Sequence, residues 1–254
     1  QERKHNFQKD NYHIMSVDFK TLLDAGVHFG HLTRKRHPNM SPYIFMEKNG
    51  THILDLNQTA SKLEESLKAL SKIAKSGRRI LFVATKKQAK DILIKHIKPL
   101  NMPYITERWP GGMLTNFVTI RKAVKKMAVI DKMKQDGTMS TLSKKERLQV
   151  DRKREKLERD LGSISDMNRL PGALFVVDVV KENIAILEAK KLGIPTFAMV
   201  DTNSDPNLVD FPIPSNDDAS KSIDIILSHV ADSINSALSE RSTEKKSKEK
   251  NNKA

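Results

Sequence analysis

The sequence predicts an α/β fold, a parallel sheet with helices on both faces, plus an inserted basic helical hairpin, on three observations. Short apolar runs alternate with stretches of helical spacing along most of the chain; strands separated by helices imply right-handed crossovers and parallel pairing. Those runs, "LFVV" among them, are apolar without a break, as strands buried on both faces are. Between 115 and 161 the apolar residues shrink to narrow seams while charge accumulates.

Taken in order, residues 1–14 are polar and aperiodic, so a disordered extension is expected there, with Met15 a natural start. The globular domain is assigned to 15–114 and 162–238. After Tyr43, Asn49-Gly50 sits between two apolar runs, the signal for a hairpin with a type I′ turn. Leu63, Leu67, Leu70 and Ile73 fall at helical spacing, and Gly77 is placed to end that helix. "RRILFVAT" reads as a strand, Lys87 to about Lys98 as a helix, and a short strand follows near Tyr104. Beyond the insert come strand "ALFVVDVV", a helix ending at Gly193, strand "TFAMVDT", a strand near Phe211 and a terminal helix from Ala219. Residues 239–254 lack apolar periodicity and are expected to be a disordered, Lys-rich tail.

The insert, 115–161, carries Phe117, Ile120, Val124 and Met127 at spacings of 3, 4 and 3, and Val150, Leu157, Leu161 and Ile164 at 7, 4 and 3. These are seam spacings for two helices packed as a coiled-coil hairpin. Gly137 can take positive φ at the break, and Ser143 with Glu146 makes a capping box. Residues 121–160 hold 14 basic side chains against seven acidic ones, half of the chain's net charge of +14. That excess attracts polyanions, and nucleic acid leads the possible partners ahead of a membrane surface. Without cysteine there are neither disulfides nor thiolate metal ligands, and no apolar run approaches the roughly 20 residues of a membrane span. A soluble, intracellular protein is expected.

Four motifs could carry chemistry. "HFGHLTRKRHPN" sets three histidines among three cations. Zinc needs three or four convergent ligands, and His28, His31 and His37 have no cysteine or intervening carboxylate to help them. No Ser elbow or Cys offers a nucleophile. Arg34, Lys35 and Arg36 on a loop closed by His37-Pro38 suit phosphates, although a merely solvated loop would look the same. In "ERWPGGMLTN", Pro110-Gly111 suits a type II turn, Thr115 or Asn116 would cap the next helix, and Trp109 either anchors in the core or touches a ligand. "FVATKKQAK" puts Thr85, Lys86 and Lys87 where a helix N-terminus welcomes phosphate, yet no G-x-G-x-x-G or P-loop occurs in the chain. Asp178, Asp201 and Asp205 follow strands and could hold Mg²⁺ in an enzyme for a phosphorylated small molecule, or simply cap turns.

Together "LLDAGVHFGHLTRKRHPNMSPYIFMEKNGTHILDL", "FVATKKQAK", "ERWPGGMLTN", "LPGALFVVDVVKE" and "GIPTFAMVDTNSDPNLVDFPIPSNDDA" resemble, in order over about 15–238, the signatures of the bacterial small-subunit ribosomal protein S2 family. The resemblance implies a flavodoxin-like sheet, a coiled-coil hairpin, and a non-catalytic cytoplasmic protein between head and body of the small subunit. It implies small-subunit rRNA and neighbouring ribosomal proteins as partners, ribosomal protein S1 where that protein is used, and no metal, cofactor or membrane. An RNA-facing role is implied for His31, Arg34, Lys35, Arg36, Arg108 and Trp109. Lys86 and Lys87 join this set by their place at a helix start. Arg121, Lys122, Lys125 and Lys126 join by charge as much as by resemblance. Asp178, Asp201 and Asp205 match the pattern but read as structural.

Overall fold

In the computed structural model, which describes residues 18–251, strands β4 (Ile80–Val83), β5 (Tyr104–Ile105), β6 (Ala173–Val177), β7 (Thr196–Val200) and β8 (Phe211–Pro214) form one parallel sheet. Its order is β5-β4-β6-β7-β8. Counted along the chain this is 2-1-3-4-5, the flavodoxin-like order, whose reversal lies between β4 and β6. Both faces are covered. Helices α2 (Leu56–Lys75), α3 (Lys87–Ile97) and α7 (Ser220–Asn251) bury Leu63, Leu70, Leu93 and Ile226 against Phe82, Phe175 and Phe197. The opposite face packs Leu81, Val83, Leu174 and Val176 against α6 (Asn183–Lys191), Trp109 and the base of the insert. Alternate residues of each strand thus feed two cores, which is why the strands read as unbroken apolar runs. Pro212 and Pro214 are tolerated because β8 is an edge strand.

Ahead of this sheet, α1 (Phe19–Asp24) leads into a second, antiparallel one of β1 (Phe29–Leu32), β2 (Ile44–Lys48) and β3 (Thr51–Leu54), in the order β1-β3-β2. Asn49 (φ 52°) and Gly50 (φ 71°) both occupy the left-handed region, as the type I′ turn requires. Strand β1 was not anticipated, since "FGHL" carries neither alternation nor a β-branched residue.

The insert forms two helices, α4 (Phe117–Gln135) and α5 (Lys144–Leu161). The expected capping box of Ser143 and Glu146 starts α5. The pair shares a thin apolar seam, with Met127, Ile130 and Leu161 buried, and is tied by Arg154–Asp131 at 2.7 Å and Lys134–Asp151 at 2.6 Å.

One expectation needs correction. Residues 239–251 do not form a structureless tail but continue α7 to Asn251. Extending an existing helix avoids the nucleation cost, Glu, Lys and Arg are good helix formers, and Lys75 pairs with Glu240 at 2.5 Å to hold the continuation on α2. Residues 1–14, expected to be an extension, and 252–254 lie outside the described residues. Among those described, no helix is long and apolar enough to cross a membrane.

Candidate nucleic-acid interface

The loop after β1 rises from a clamp made by Thr202. The Thr202 hydroxyl accepts from the His31 N–H and its carbonyl from the His37 N–H, each at 2.8 Å. A Cβ at position 30 would overlap the Thr202 side chain, so only glycine lets the strand come this close. Beyond the clamp Arg34, Lys35 and Arg36 are exposed, with no ion-pair partner among the described residues. They stand where phosphate could reach them.

The histidines of this stretch do not converge. His28 lies against the Phe29 ring, tilted by 39°, and is held below its usual pKa by burial. His37 accepts from the Asn39 N–H at its own turn. His31 points into the sheet end, with Nδ1 2.8 Å from Asp201 and Nε2 3.3 Å from Asp218. The Asp201 hydrogen bond raises its pKa despite burial. The ring of His31, for which an RNA-facing role was expected, is held by these carboxylates and fixes the base of the loop.

At the carboxyl ends of β4 and β6, where flavodoxin-like folds bind ligands, the site is filled from within. The Thr85 N–H, placed to meet a phosphate, donates instead to Glu182 at 2.9 Å, and the Thr85 hydroxyl does the same. Lys86 meets Asp218 at 2.6 Å, Asp217 at 2.7 Å and Asp178 at 3.3 Å. Burial opposes its charge, but the carboxylates outweigh burial and hold the ammonium protonated. The charge of Lys86, which the sequence placed among the RNA-facing residues, is thus spent inside the fold, whereas Lys87 is exposed. Asp217 is fully buried, and burial with the neighbouring Asp178 and Asp201 pushes it up to about 7. Asp178 bends the chain at φ 76° and accepts from the Lys181 N–H, and Asp205 accepts from Asn207 N–H, both turn roles.

Ligand atoms of His31, Asp201, Asp217 and Asp218 lie within 4.8 Å of one another, and Asp217 Oδ2 has no hydrogen-bond partner. This donor set could accept a divalent cation. Sequence reasoning considered the histidines and the strand-end aspartates separately; folding joins one histidine to Asp201 and adds Asp217 and Asp218. The adjacent pair in "SNDDA" was the only signal for them.

The loop 107–116 is organised by Glu188 of α6, another residue the sequence did not single out. Its carboxylate accepts from Trp109 Nε1 at 3.1 Å, from the N–H groups of Gly112, Leu114 and Thr115 at 2.8, 2.9 and 3.0 Å, and from the Thr115 hydroxyl. Burial would raise its pKa, but these donors lower it. Trp109 is an anchor, buried and hydrogen-bonded to Glu188, the first of the two roles the sequence left open for it; Arg108 beside it is exposed. The turn also sits one residue later than expected. The Met113 N–H donates to Pro110 C=O and Gly112, not Gly111, takes positive φ. Thr115 caps nothing, and Asn116 holds the N-cap position of α4 without a side-chain bond to the backbone.

On α4, Lys122, Lys125 and Lys126 are exposed, and Arg121 donates to the Asn168 carbonyl at 2.7 Å. Lys126 approaches Lys153 of α5 closely enough to lower the latter's pKa, a like-charge contact that an anion would relieve. Exposed cations therefore gather on the loop at 34–36 and along α4, while the strand ends are carboxylate-rich.

Residues 22–237 match the family described as ribosomal protein S2. The chain is 70% identical over 238 residues to small ribosomal subunit protein uS2 of Christiangramia forsetii, covering 94% of this chain and 80% of that protein. It is likewise 70% identical over 229 residues to the uS2 of Flavobacterium johnsoniae, covering 90% of each. The uS2 of Bacteroides thetaiotaomicron is 61% identical over 90% of this chain and 82% of its own length.

Proposed function

The chain belongs to the ribosomal protein S2 family, and from that premise we propose that it is a structural, non-catalytic component of the small ribosomal subunit that binds small-subunit rRNA. The single observation that carries the RNA reading is the contrast between sealed and open charge. Lys86 and the Thr85 N–H are consumed internally, whereas Arg34, Lys35, Arg36, Lys87, Arg108 and, on α4, Lys122, Lys125 and Lys126 remain exposed with no carboxylate within ion-pair distance among the described residues. A small-molecule phosphate enzyme needs the first set open; a protein that lies along RNA needs the second. The insert, packed as a coiled coil, serves as a basic arm. Neighbouring small-subunit proteins, ribosomal protein S1 among them, are the partners we assign to the exposed apolar residues Phe29, Phe45 and Met46 of the antiparallel sheet. Head–body placement and residence in cytoplasmic ribosomes follow from the same reading.

The test is sedimentation of a lysate through a sucrose gradient with mass spectrometry for this chain. It should travel with the small subunit. Recovery only from ribosome-free fractions of growing cells would reject the reading.

A further inference from the structure

At the end of the sheet opposite the carboxylate cluster, where residues 77–79 lead into β4 and 166–172 into β6, the first turns of α4 overhang a cleft of about 1100 Å³. Six cations line it, Arg78, Arg79, Arg121, Lys122, Lys125 and Arg169, against one acidic residue, Asp166. None of the six pairs with a carboxylate among the described residues. Arg79 and Arg121 are braced on backbone carbonyls instead, those of Asp166 and Asn168. The floor is apolar and partly open, with Val118 68% and Leu170 44% exposed. A Cβ at position 172 would overlap the Arg78 side chain, so the glycine lets Arg78 lie directly against the chain entering β6.

Unneutralised cations so close repel one another, and this protein pairs its cations where it can, Lys86 with three carboxylates. The arrangement is stable in company with an external polyanion. A free phosphate would leave the apolar floor uncovered, and a flat acidic protein face would not fill a cleft of this volume. A nucleotide chain satisfies both parts, its phosphates taking the guanidinium and ammonium groups and its ribose or base covering the floor. We propose that this cleft clasps a non-helical segment of small-subunit rRNA, with the backbone on Arg78, Lys122 and Arg169 and one unstacked nucleoside over Val118 and Leu170. The proposal rests on the RNA-binding reading above and adds where and how the RNA is held.

Filter binding of the full chain to deproteinised small-subunit rRNA tests both statements separately. The triple variant Arg78→Gln, Lys122→Gln, Arg169→Gln removes cleft charge without breaking any ion pair, and Lys144→Gln, Lys145→Gln, Arg147→Gln removes equal charge at the far end of the hairpin. Circular dichroism checks that each is folded. The cleft triple should lose about tenfold or more in affinity, with a salt slope shallower by about 2 to 3, and the control less than about threefold. Rebuilding the complex on 4-thiouridine-containing rRNA should give photo-crosslinks to peptides spanning 117–125 or 166–172. A wild-type chain that shows no salt-dependent binding would sink the RNA reading itself. Wild-type binding with equal losses in the two triples, an unaffected cleft triple, or crosslinks confined to other peptides would leave that reading standing and overturn the cleft.

Discussion

Glu188 shows how much one buried carboxylate can organise. It is 8% exposed and faces only donors, three of them backbone N–H groups of the loop that launches α4. Glu188→Gln keeps the shape but turns an amide NH₂ toward those donors, so about 3 kcal/mol of stability should be lost. Fluorescence of Trp109, the only tryptophan, should redden before global unfolding; an unchanged spectrum through the melt would contradict this role. His31 sets a pH dependence. Its pKa is raised by the Asp201 hydrogen bond, so its contribution is fully present below 6.5 and is lost as pH rises through the folded value. Asp217 acts with the same sign: between 3.8 and about 7 the folded state keeps a proton the unfolded chain has released, so stability falls as pH rises across that window. Buried His28 and His229, whose pKa values are lowered, act with the opposite sign only up to 6.5, so the melting temperature should drop from pH 6.5 to 8.5. His31→Gln should lower it at pH 5.5, by about 2–4 °C per kcal/mol, and flatten the decline above 6.5. A wild-type curve that climbs over this range would refute the assignment.

The two long helices α4 and α5 bury little, only Met127 and Ile130 from one and Leu161 from the other. Their seam is thin and their ties are exposed ion pairs, which individually contribute about 0–1 kcal/mol. Their stability should thus depend on local devices, the capping box first. Ser143→Ala is expected to cost about 1 kcal/mol, seen as faster hydrogen exchange across 138–150 with β4, β6 and β7 unchanged. Equal acceleration in those strands would mean that α4, α5 and the sheet open as one unit. The capping box was legible because its chemistry lies within four consecutive residues. Strand β1 was not, because among the described residues its one partner is β3, and β1 exists where Gly30 lets the chain press against Thr202. The displaced turn at 110–113 has the same origin. Local preference favoured Pro110-Gly111, but the N–H donors satisfied by Glu188 lie on residues 112, 114 and 115.

Across the whole molecule, charge is sorted by place. Carboxylates fill the carboxyl ends of the strands, an uncompensated basic cleft opens at the amino ends, and the loop at 34–36 carries its cations outward past the acidic cluster, close enough for Lys35 to help hold Asp218 ionised. Arg34→Ala, Lys35→Ala, Arg36→Ala should consequently fold normally by circular dichroism, since none of the three supports the core, yet be under-represented in mature small subunits about tenfold or more if each loses a phosphate contact. Incorporation equal to wild type would assign this loop to solvent.

The sequence by itself determined the alternation of strands and helices, the parallel sheet, the I′ turn at Asn49-Gly50, the capping box that starts α5 and the surplus of positive charge, because each is written in neighbouring residues through periodicity, turn chemistry or composition. Tertiary structure decided which charges remain available. Lys86 and Lys87 are adjacent in the chain, yet one meets three carboxylates supplied from after β6 and β8 and the other faces solvent. Trp109 and Arg108 part in the same way, one held by Glu188 from 79 residues away. A side chain's chemistry is local, but its burial and its partners come from segments brought beside it by folding, and those fix whether a cation, a carboxylate or an indole serves the core or is left to serve a partner.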